Sequence, residues 1–252
     1  MQMMLPGPVV SRDQTYIRKY RDHCENPNQY VILDNGAAER KQIGHDALFD
    51  MAINFKPDEL VLPDIMKDGP ATLTATENFM QRQNVEYLKD LGMKLAFVVQ
   101  GNGSQDAFDT LQSMVGAWWS QFVSVIHLPR LLVTPGLPDD RLRLAILAQN
   151  LYQERGENIE CHFLGANTVW PQEIKYASHF EYVRSMDTSA PYYMAYWQRP
   201  IDSTIWKGAL ERPEDYFDRS AETFRGSNQY VNTFLAWAVG KEPDAQTPPG
   251  RV

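Results

Sequence analysis

The sequence predicts a mixed α/β protein folded as a compact or distorted (β/α)8 barrel with an aromatic-rich C-terminal extension. Three observations lead to this fold class. Short apolar runs recur roughly thirty residues apart, which is about the length of one βα unit. Helical patterns separate these runs, as they do in a parallel sheet. Several runs also end in a polar residue, and the carboxyl ends of the strands form the active face of a barrel.

Six of the apolar runs are predicted strands, and the flanking segments are expected to supply two more. The six are residues 31–33, 60–62, 94–99, 122–126, 159–164 and 180–186. Residues 2–10 are a candidate for a further strand, although Pro6 and Pro8 weaken it. Helices are predicted at residues 14–20, 44–53, 76–91, 141–154 and 228–239, and another is expected to be capped by Ser104. No G-x-G-x-x-G or phosphate-loop lysine motif opens a helix, which favours the barrel over an open doubly wound sheet.

The predicted core and its C-terminal extension differ in composition. Residues 1–190 carry the alternation of strands and helices and are expected to form the barrel. Residues 191–240 begin with a stretch rich in Tyr and Trp and are expected to complete the domain. Residues 241–252 are rich in Pro and polar residues, which is typical of a flexible tail.

Charge and cysteine usage limit the classes of function. A net charge of −8 and an isoelectric point of about 5.2 exclude a protein coated with basic surface. Phosphate contacts need only a local basic patch, so a nucleic-acid substrate stays possible. Cys24 and Cys161 stand alone in the sequence, so neither a disulfide framework nor a cysteine-rich zinc site is expected. No apolar run approaches the roughly 18 residues of a membrane span, and no signal peptide is evident. A cytoplasmic protein without a membrane partner is expected.

Four polar residues follow predicted strands, namely Asp34, Asp64, Gln100 and Asp187. Two carboxylates on one face can break a glycosidic bond, one as nucleophile and one as acid/base. A further aspartate and a glutamine can read a purine-like ring through its N–H and carbonyl groups. Clustered carboxylates can also hold magnesium, and a strand-end aspartate is often only a turn former or a helix cap. The residues alone leave these alternatives open.

The order of these segments resembles the tRNA-guanine transglycosylases and their DNA-modifying relatives. Residues 32–38 (ILDNGAA) resemble the aspartate–serine–glycine–glycine segment of that family, and residues 97–103 (FVVQGNG) resemble its valine–glutamine–glycine–glycine segment. Residues 62–64 fall where a base-recognising aspartate is expected. Residues 162–167 resemble the leucine–glycine strand end, and Asp187 falls at the nucleophile position. The resemblance covers about residues 30–190.

The resemblance implies a role for each matching position. Asp187 is expected to be the nucleophile on C1′ and Asp34 the general acid/base, while Asp64, Gln100 and Gly101 read the base. The other expected substrate contacts within the matching segments are Gly36, Asn102 and Gly165. His127 is a further candidate substrate contact because it directly follows a predicted strand. Arg130, Arg199 and Lys207 are candidate nucleic-acid contacts. No metal, nucleotide or redox cofactor is required by this chemistry.

Three departures from the tRNA enzymes point to a particular branch of the family. No Cys follows Cys161, so the zinc site of three Cys and one His near the C-terminus of those enzymes is missing. Residues 127–130 (HLPR) replace a glycine-rich leucine segment, and the chain is shorter. These features resemble the compact, phage-type DNA 7-deazaguanine transglycosylases. The implied substrates are DNA and a 7-deazaguanine base such as 7-cyano-7-deazaguanine, with the host cytoplasm as location for a phage-encoded protein.

Other functions stay open beside this one. Guanine exchange in tRNA would use the same residues on another nucleic acid. A nucleosidase or a small glycoside hydrolase would use Asp34 and Asp187 with water as the acceptor. A metal-dependent phosphoesterase is a more distant alternative, and a barrel without catalytic activity that binds nucleic acid belongs to a different class. The sequence does not predict an oligomeric state.

Overall fold

A computed structural model describes residues 2–6, 14–37, 42–130, 140–165, 173 and 176–187. The chain divides into two compact units, residues 1–162 and 163–252. The predicted C-terminal extension (191–240), the helix at 228–239, the tail (241–252), Arg199 and Lys207 lie outside the described residues. Among the described helices, none combines the length and apolar character needed to cross a membrane.

The first unit is built on a curled parallel sheet of six strands that forms a half-barrel. The strands are β1 (Gln2–Pro6), β2 (Tyr30–Asp34), β3 (Glu59–Val61), β4 (Lys94–Val98), β5 (Val123–Pro129) and β6 (Glu160–Leu164), and the boundary between the units falls within β6. They lie side by side in chain order, and the first five pair in parallel. The predicted α/β class with a parallel sheet is therefore confirmed, while the described residues contain seven strands rather than eight.

Helices connect successive strands, as parallel pairing requires. They are α1 (Gln14–Cys24), α2 (His45–Phe55), α3 (Gly69–Arg82), α4 (Val85–Asp90), α5 (Ser104–Gly116) and α6 (Asp140–Gln153), with a 3-10 helix at Trp118–Phe122. Apolar side chains of α5 recur at helical spacing, and Ala107, Leu111 and Met114 are fully buried. These contacts fix the helices that carry the loops at the carboxyl ends of the strands.

The two faces of β2 have different characters. Val31 packs with Tyr20, and a cluster of Ile17, Cys24, Met51 and Phe55 from α1 and α2 lies against them. Because side chains alternate along a strand, Tyr30 and Asp34 lie on the opposite face, the inner face of the curled sheet. There the Tyr30 hydroxyl donates a hydrogen bond of 2.8 Å to Glu59 Oε2.

Two local expectations are wrong for identifiable reasons. The helix expected at residues 76–91 is two helices, because Asn84 caps a new one by accepting the Tyr87 N–H at 3.2 Å. Ser104 is the first residue of α5 rather than its cap, which is Gly103 with a φ of 128°. The Ser104 hydroxyl instead donates to Asp140 Oδ2 at 2.6 Å, a contact between two helices that local patterns do not reveal.

In the second unit, β7 (Val183–Met186) leads to Asp187. The Asp187 N–H donates a hydrogen bond of 3.1 Å to the carbonyl of Phe163, near the end of β6. The expected strand at residues 180–186 is therefore present but shorter, since residues 181 and 182 form a turn.

Candidate functional site

The carboxyl ends of β2, β3 and β4 are joined by one chain of buried side chains, Asn35, Asp64 and Gln100. Asn35 Nδ2 donates to Asp64 Oδ1 at 2.7 Å, and Gln100 Nε2 donates to Asp64 Oδ2 at 2.6 Å. The three residues are between 1% and 5% exposed, so the chain is shielded from bulk water. The structure thus brings the sequence-predicted Asp64 and Gln100 into direct contact.

Asn35 belongs to this hydrogen-bonded chain, although in the sequence it stands out only as part of the segment 32–38. Its Nδ2 also donates to the Leu62 carbonyl at 2.6 Å, and its Oδ1 accepts the Ala37 N–H at 2.8 Å. One side chain therefore closes the turn after β2 and ties that turn to the end of β3. The available signal was an Asn before a Gly at a strand end, where asparagine side chains commonly bond the backbone two residues on.

Asp64 is a buried carboxyl group whose hydrogen-bond donors are neutral amides. Burial raises its pKa from the ordinary value of 3.8, while the hydrogen bonds from Asn35 and Gln100 act in the opposite direction. The backbone carbonyl of Asp64 also accepts a hydrogen bond from the Gln42 side chain. The backbone N–H of Asp64 also bonds its own carboxyl group, so three hydrogen bonds reach the carboxyl oxygens. A carboxylate offers about four acceptor sites, so the group retains capacity to accept a hydrogen bond from a ligand.

The orientation of the Gln100 amide is fixed at both ends. Its Nε2 donates to Asp64, and its Oε1 accepts the backbone N–H of Lys67 at 3.0 Å. A primary amide carries two N–H groups and two lone pairs on oxygen. These two bonds use one of each and fix the orientation of the amide, which retains the capacity to donate one further hydrogen bond and to accept another.

The loops around Asn35, Asp64 and Gln100 show why two of the predicted site residues are glycines. Gly36 has a φ of 82°, a backbone conformation that side chains disfavour, in the turn after β2. A Cβ at Gly101 would lie 2.6 Å from the Ala107 nitrogen, so the first turn of α5 packs directly on this glycine. The neighbouring Asn102 is exposed, and its N–H donates to Asp106 Oδ2 at 2.8 Å. The substrate contacts expected for Gly36, Gly101 and Asn102 remain predictions.

Asp34 and Arg130 also lie at carboxyl ends of strands. Asp34 is the last residue of β2, on the face that carries Tyr30, and it is partly exposed. Arg130 follows β5 directly and is exposed. Asp34 precedes Asn35 in the chain, so the turn that Asn35 closes also sets where the Asp34 backbone lies.

His127 lies within the inner face of the sheet rather than at its rim. Its Nε2 is 2.6 Å from Glu59 Oε1, and the side chains of both residues are fully buried. The His127 ring lies against that of His162, with 4.7 Å between centroids. Glu59 also accepts the Tyr30 hydroxyl, so the interior holds a connected polar group of Tyr30, Glu59 and His127. Only His127 stands out in the sequence, and the contacts join residues that are far apart in the chain.

In the second unit, Asp187 is held by the backbone of Gly165. The Gly165 N–H donates to Asp187 Oδ1 at 2.7 Å, and both residues are partly buried. The two residues predicted from separate strand ends are therefore in contact. A hydrogen bond from a backbone amide fixes one carboxylate oxygen, which restricts the orientation of the Asp187 carboxylate.

No protein-family model matches the chain, and no curated protein is similar to it. Within the described ranges, no three His, Cys, Asp or Glu side chains are grouped so that they could hold a metal ion.

Proposed function

We propose that this protein is a base-exchange transglycosylase that replaces guanine in DNA with a 7-deazaguanine such as 7-cyano-7-deazaguanine. The observation that carries the proposal is the hydrogen-bonded chain of Asn35, Asp64 and Gln100. It presents carboxylate acceptors and a fixed amide at adjacent strand ends. Guanine carries an amino donor at N2 and a carbonyl acceptor at O6, which complement such a set.

The proposed enzyme is a distorted (β/α)8 barrel whose strand ends carry Asp34 and Asp187 on one active face. The target deoxyguanosine is drawn out of the base stack so that its C1′ reaches the carboxylates. An Asp187 oxygen forms a bond to C1′ as the C1′–N9 bond breaks, and Asp34 protonates the departing guanine. The hydrogen bond from Gly165 supports this role, because it orients the Asp187 carboxylate.

The second half of the reaction reverses the first with a different base. The incoming 7-deazaguanine binds between the same recognition groups and gives its ring N–H proton to the Asp34 carboxylate. Its nitrogen then attacks C1′, and the bond from C1′ to Asp187 breaks. At the end of the reaction Asp34 is protonated again and Asp187 is again a free carboxylate. The oxidation state of no atom changes, so the reaction needs no external oxidant or reductant.

A base-exchange assay tests the proposal directly. Purified protein is incubated with guanine-containing duplex DNA, or separately with tRNA, and 7-cyano-7-deazaguanine, and the digested nucleosides are identified by mass spectrometry. We expect a deazaguanine deoxynucleoside with the wild-type protein and with Asp90→Asn, a matched change at an exposed residue of α4. Asp187→Asn should give no product, and Asp34→Asn should slow exchange by about 10²–10⁴-fold.

The covalent intermediate provides a second readout. Without an incoming base, wild-type protein should retain labelled DNA after denaturation, and Asp187→Asn should retain none. Incorporation into tRNA alone would replace the proposed substrate, and release of free guanine without incorporation would make the protein a hydrolase. If neither exchange nor release occurs with a range of 7-deazaguanines, the proposed function is wrong.

A further inference from the structure

Two lysines adopt a backbone conformation that usually belongs to glycine. Lys56 has a φ of 49° and Lys67 a φ of 62°, and they are the only residues other than glycine with positive φ in the described part of the chain. Both side chains are exposed. Left-handed backbone is costly for a residue with a Cβ, so each position calls for a physical explanation.

The position of Lys56 has an ordinary explanation. Lys56 is the C-cap of α2, where left-handed backbone is common, and its N–H donates to the Ala52 carbonyl at 2.9 Å. A cation at this end of a helix is also favoured by the helix dipole. The position of Lys56 at the C-terminus of α2 therefore explains both its left-handed backbone and its positive charge.

Lys67 has neither advantage. It lies just before Asp68, the N-cap of α3, and a positive charge is disfavoured near the N-terminus of a helix. Glycine would adopt its backbone conformation with less strain and without the unfavourable charge. A lysine that is disfavoured on both counts indicates that the side chain has a use outside the fold.

The loop that carries Lys67 is held firmly in place. The Thr72 hydroxyl accepts the Ile65 N–H at 2.9 Å and donates to the Ile65 carbonyl at 3.1 Å, while the Asp68 N–H donates to the same carbonyl at 3.1 Å. The Lys67 N–H donates to Gln100 Oε1. A Cβ at Gly69 would lie 1.8 Å from Thr110 Oγ1, so the end of the loop packs closely on α5. The conformation of Lys67 is therefore imposed by its surroundings.

Lys67 and Arg130 lie on the two sides of the strand end that carries Gln100. Lys67 follows β3 and Arg130 follows β5, and β4 lies between those strands. Both side chains are exposed in a protein with a net charge of −8. Exposed cations that flank the strand end of Gln100 can supply the phosphate contacts on which the affinity for a polynucleotide depends.

We propose that Lys67, together with Arg130, contacts backbone phosphates of a DNA strand next to the nucleotide whose base meets Asp64 and Gln100. This inference rests on the proposed function and specifies its substrate as a polynucleotide rather than a free nucleoside. The firm loop places the lysine charge at the rim before DNA arrives, so little of its backbone has to be ordered on binding.

The salt dependence of DNA binding tests the inference. Affinity for a labelled guanine-containing oligonucleotide is measured by fluorescence anisotropy between about 50 and 200 mM salt. We expect Lys67→Gly to weaken binding and to reduce the slope of log K against log salt by about 0.7–0.9, the value for one phosphate contact. Lys67→Arg should retain the wild-type slope, and Lys67→Gly with Arg130→Ala should lose about twice as much as Lys67→Gly alone.

Lys56→Gly is the matched control, because it removes the same charge from the same backbone conformation at the end of a helix. It should leave the slope unchanged, and thermal unfolding should show that both glycine variants are folded. An unchanged slope in Lys67→Gly, or an equal change in Lys56→Gly, would overturn the inference. A dependence seen only with tRNA would also overturn DNA as the partner.

Base exchange separates this inference from the proposed function. In active enzyme, Lys67→Gly should raise KM for DNA and leave KM for 7-cyano-7-deazaguanine unchanged. Active enzyme whose DNA affinity does not depend on Lys67 would refute the phosphate contact alone. Wild-type protein that binds DNA through Lys67 and exchanges no base would support the contact and refute the transglycosylase.

Discussion

Two buried carboxyl groups near the two ends of β3 are accommodated in different ways. Glu59, at the start of the strand, is paired with His127 at 2.6 Å and also accepts the Tyr30 hydroxyl. Asp64, three residues beyond the end of the strand, is held by the amides of Asn35 and Gln100. The first carboxyl group has an ionisable partner, whereas the second has only neutral donors.

This difference separates a group suited to holding the fold from a group suited to meeting a ligand. The Glu59 and His127 side chains are fully buried, and each supplies the other with a close partner of opposite acid–base character. Neutral amides orient Asp64 without neutralising it, so a ligand that offers N–H groups can still gain from the carboxylate. The proposed base-recognition role therefore belongs to Asp64, and Glu59 is expected to stabilise the sheet.

The largest effect is expected from breaking the interior pair. Glu59→Ala leaves His127 in the interior without its carboxylate partner and should lower the free energy of unfolding by about 3–5 kcal/mol. Chemical denaturation measures the change, with Glu86→Ala on the exposed side of α4 as a control that should stay within about 0.5 kcal/mol of wild type. Equal stability of the two variants would mean that the pair contributes nothing to the fold.

Breaking the hydrogen-bonded chain of Asn35, Asp64 and Gln100 should reduce stability less than breaking the interior pair. In the proposed enzyme it should reduce activity more. Asn35→Ala removes the hydrogen bonds to Asp64, the Leu62 carbonyl and the Ala37 N–H, and should destabilise the fold by about 2–3 kcal/mol. Base exchange should fall through a higher KM for the incoming base, because Asp64 loses one of its two side-chain donors. Asn28→Ala, an exposed change, is the control; an unchanged KM in folded Asn35→Ala would exclude the positioning role.

The sequence anticipates the strand-end region better than the interior. Runs such as residues 94–99 predict a strand and place Gln100 at its end, and parallel strands bring such ends to one edge. The contact between Asp64 and Gln100 follows from this topology, although the residues are 36 apart in the chain. The structure adds the direction of each hydrogen bond, which depends on side-chain packing.

The interior pair could not be derived in the same way. Glu59 and His127 are 68 residues apart and meet only because the sheet curls, so that side chains from β3 and β5 reach one another. Residue 59 lies at the edge of a short apolar run, where a glutamate looks like an exposed strand start. The left-handed conformation of Lys67 was hidden for a related reason, since a lysine in a loop gives no local signal of positive φ.

The pH dependence of stability is expected to distinguish the two carboxyl groups further. Burial raises the pKa of Asp64 above 3.8, so the folded protein binds more protons than the unfolded chain as the pH rises past that value. This contribution to stability is fully present below the unfolded pKa and is lost as the pH rises through the folded pKa. As the pH rises above about 4, the wild-type protein should therefore lose stability relative to Asp64→Asn, in which the group does not titrate.

Urea denaturation of wild type, Asp64→Asn and the exposed control Asp90→Asn across this pH range measures the difference. The informative quantity is the direction in which the stability difference between wild type and Asp64→Asn changes with pH. Its absolute size is less informative, because an asparagine at residue 64 also turns one N–H toward a neighbouring amide donor. That clash shifts the Asp64→Asn curve by a constant and leaves its pH slope unaffected. Parallel curves for wild type and Asp64→Asn would contradict the raised pKa.

The smallest effect is expected from Tyr30→Phe, which removes the hydroxyl donor from Glu59 and keeps the ring. The loss should be about 1 kcal/mol, since Glu59 retains its contact with His127. A double-mutant cycle with Glu59→Ala shows whether the hydroxyl acts through that carboxylate. If it does, Tyr30→Phe should cost almost nothing once Glu59 is replaced. An equal cost in both backgrounds would place the contribution of the tyrosine elsewhere and reduce the interior group to the pair of Glu59 and His127.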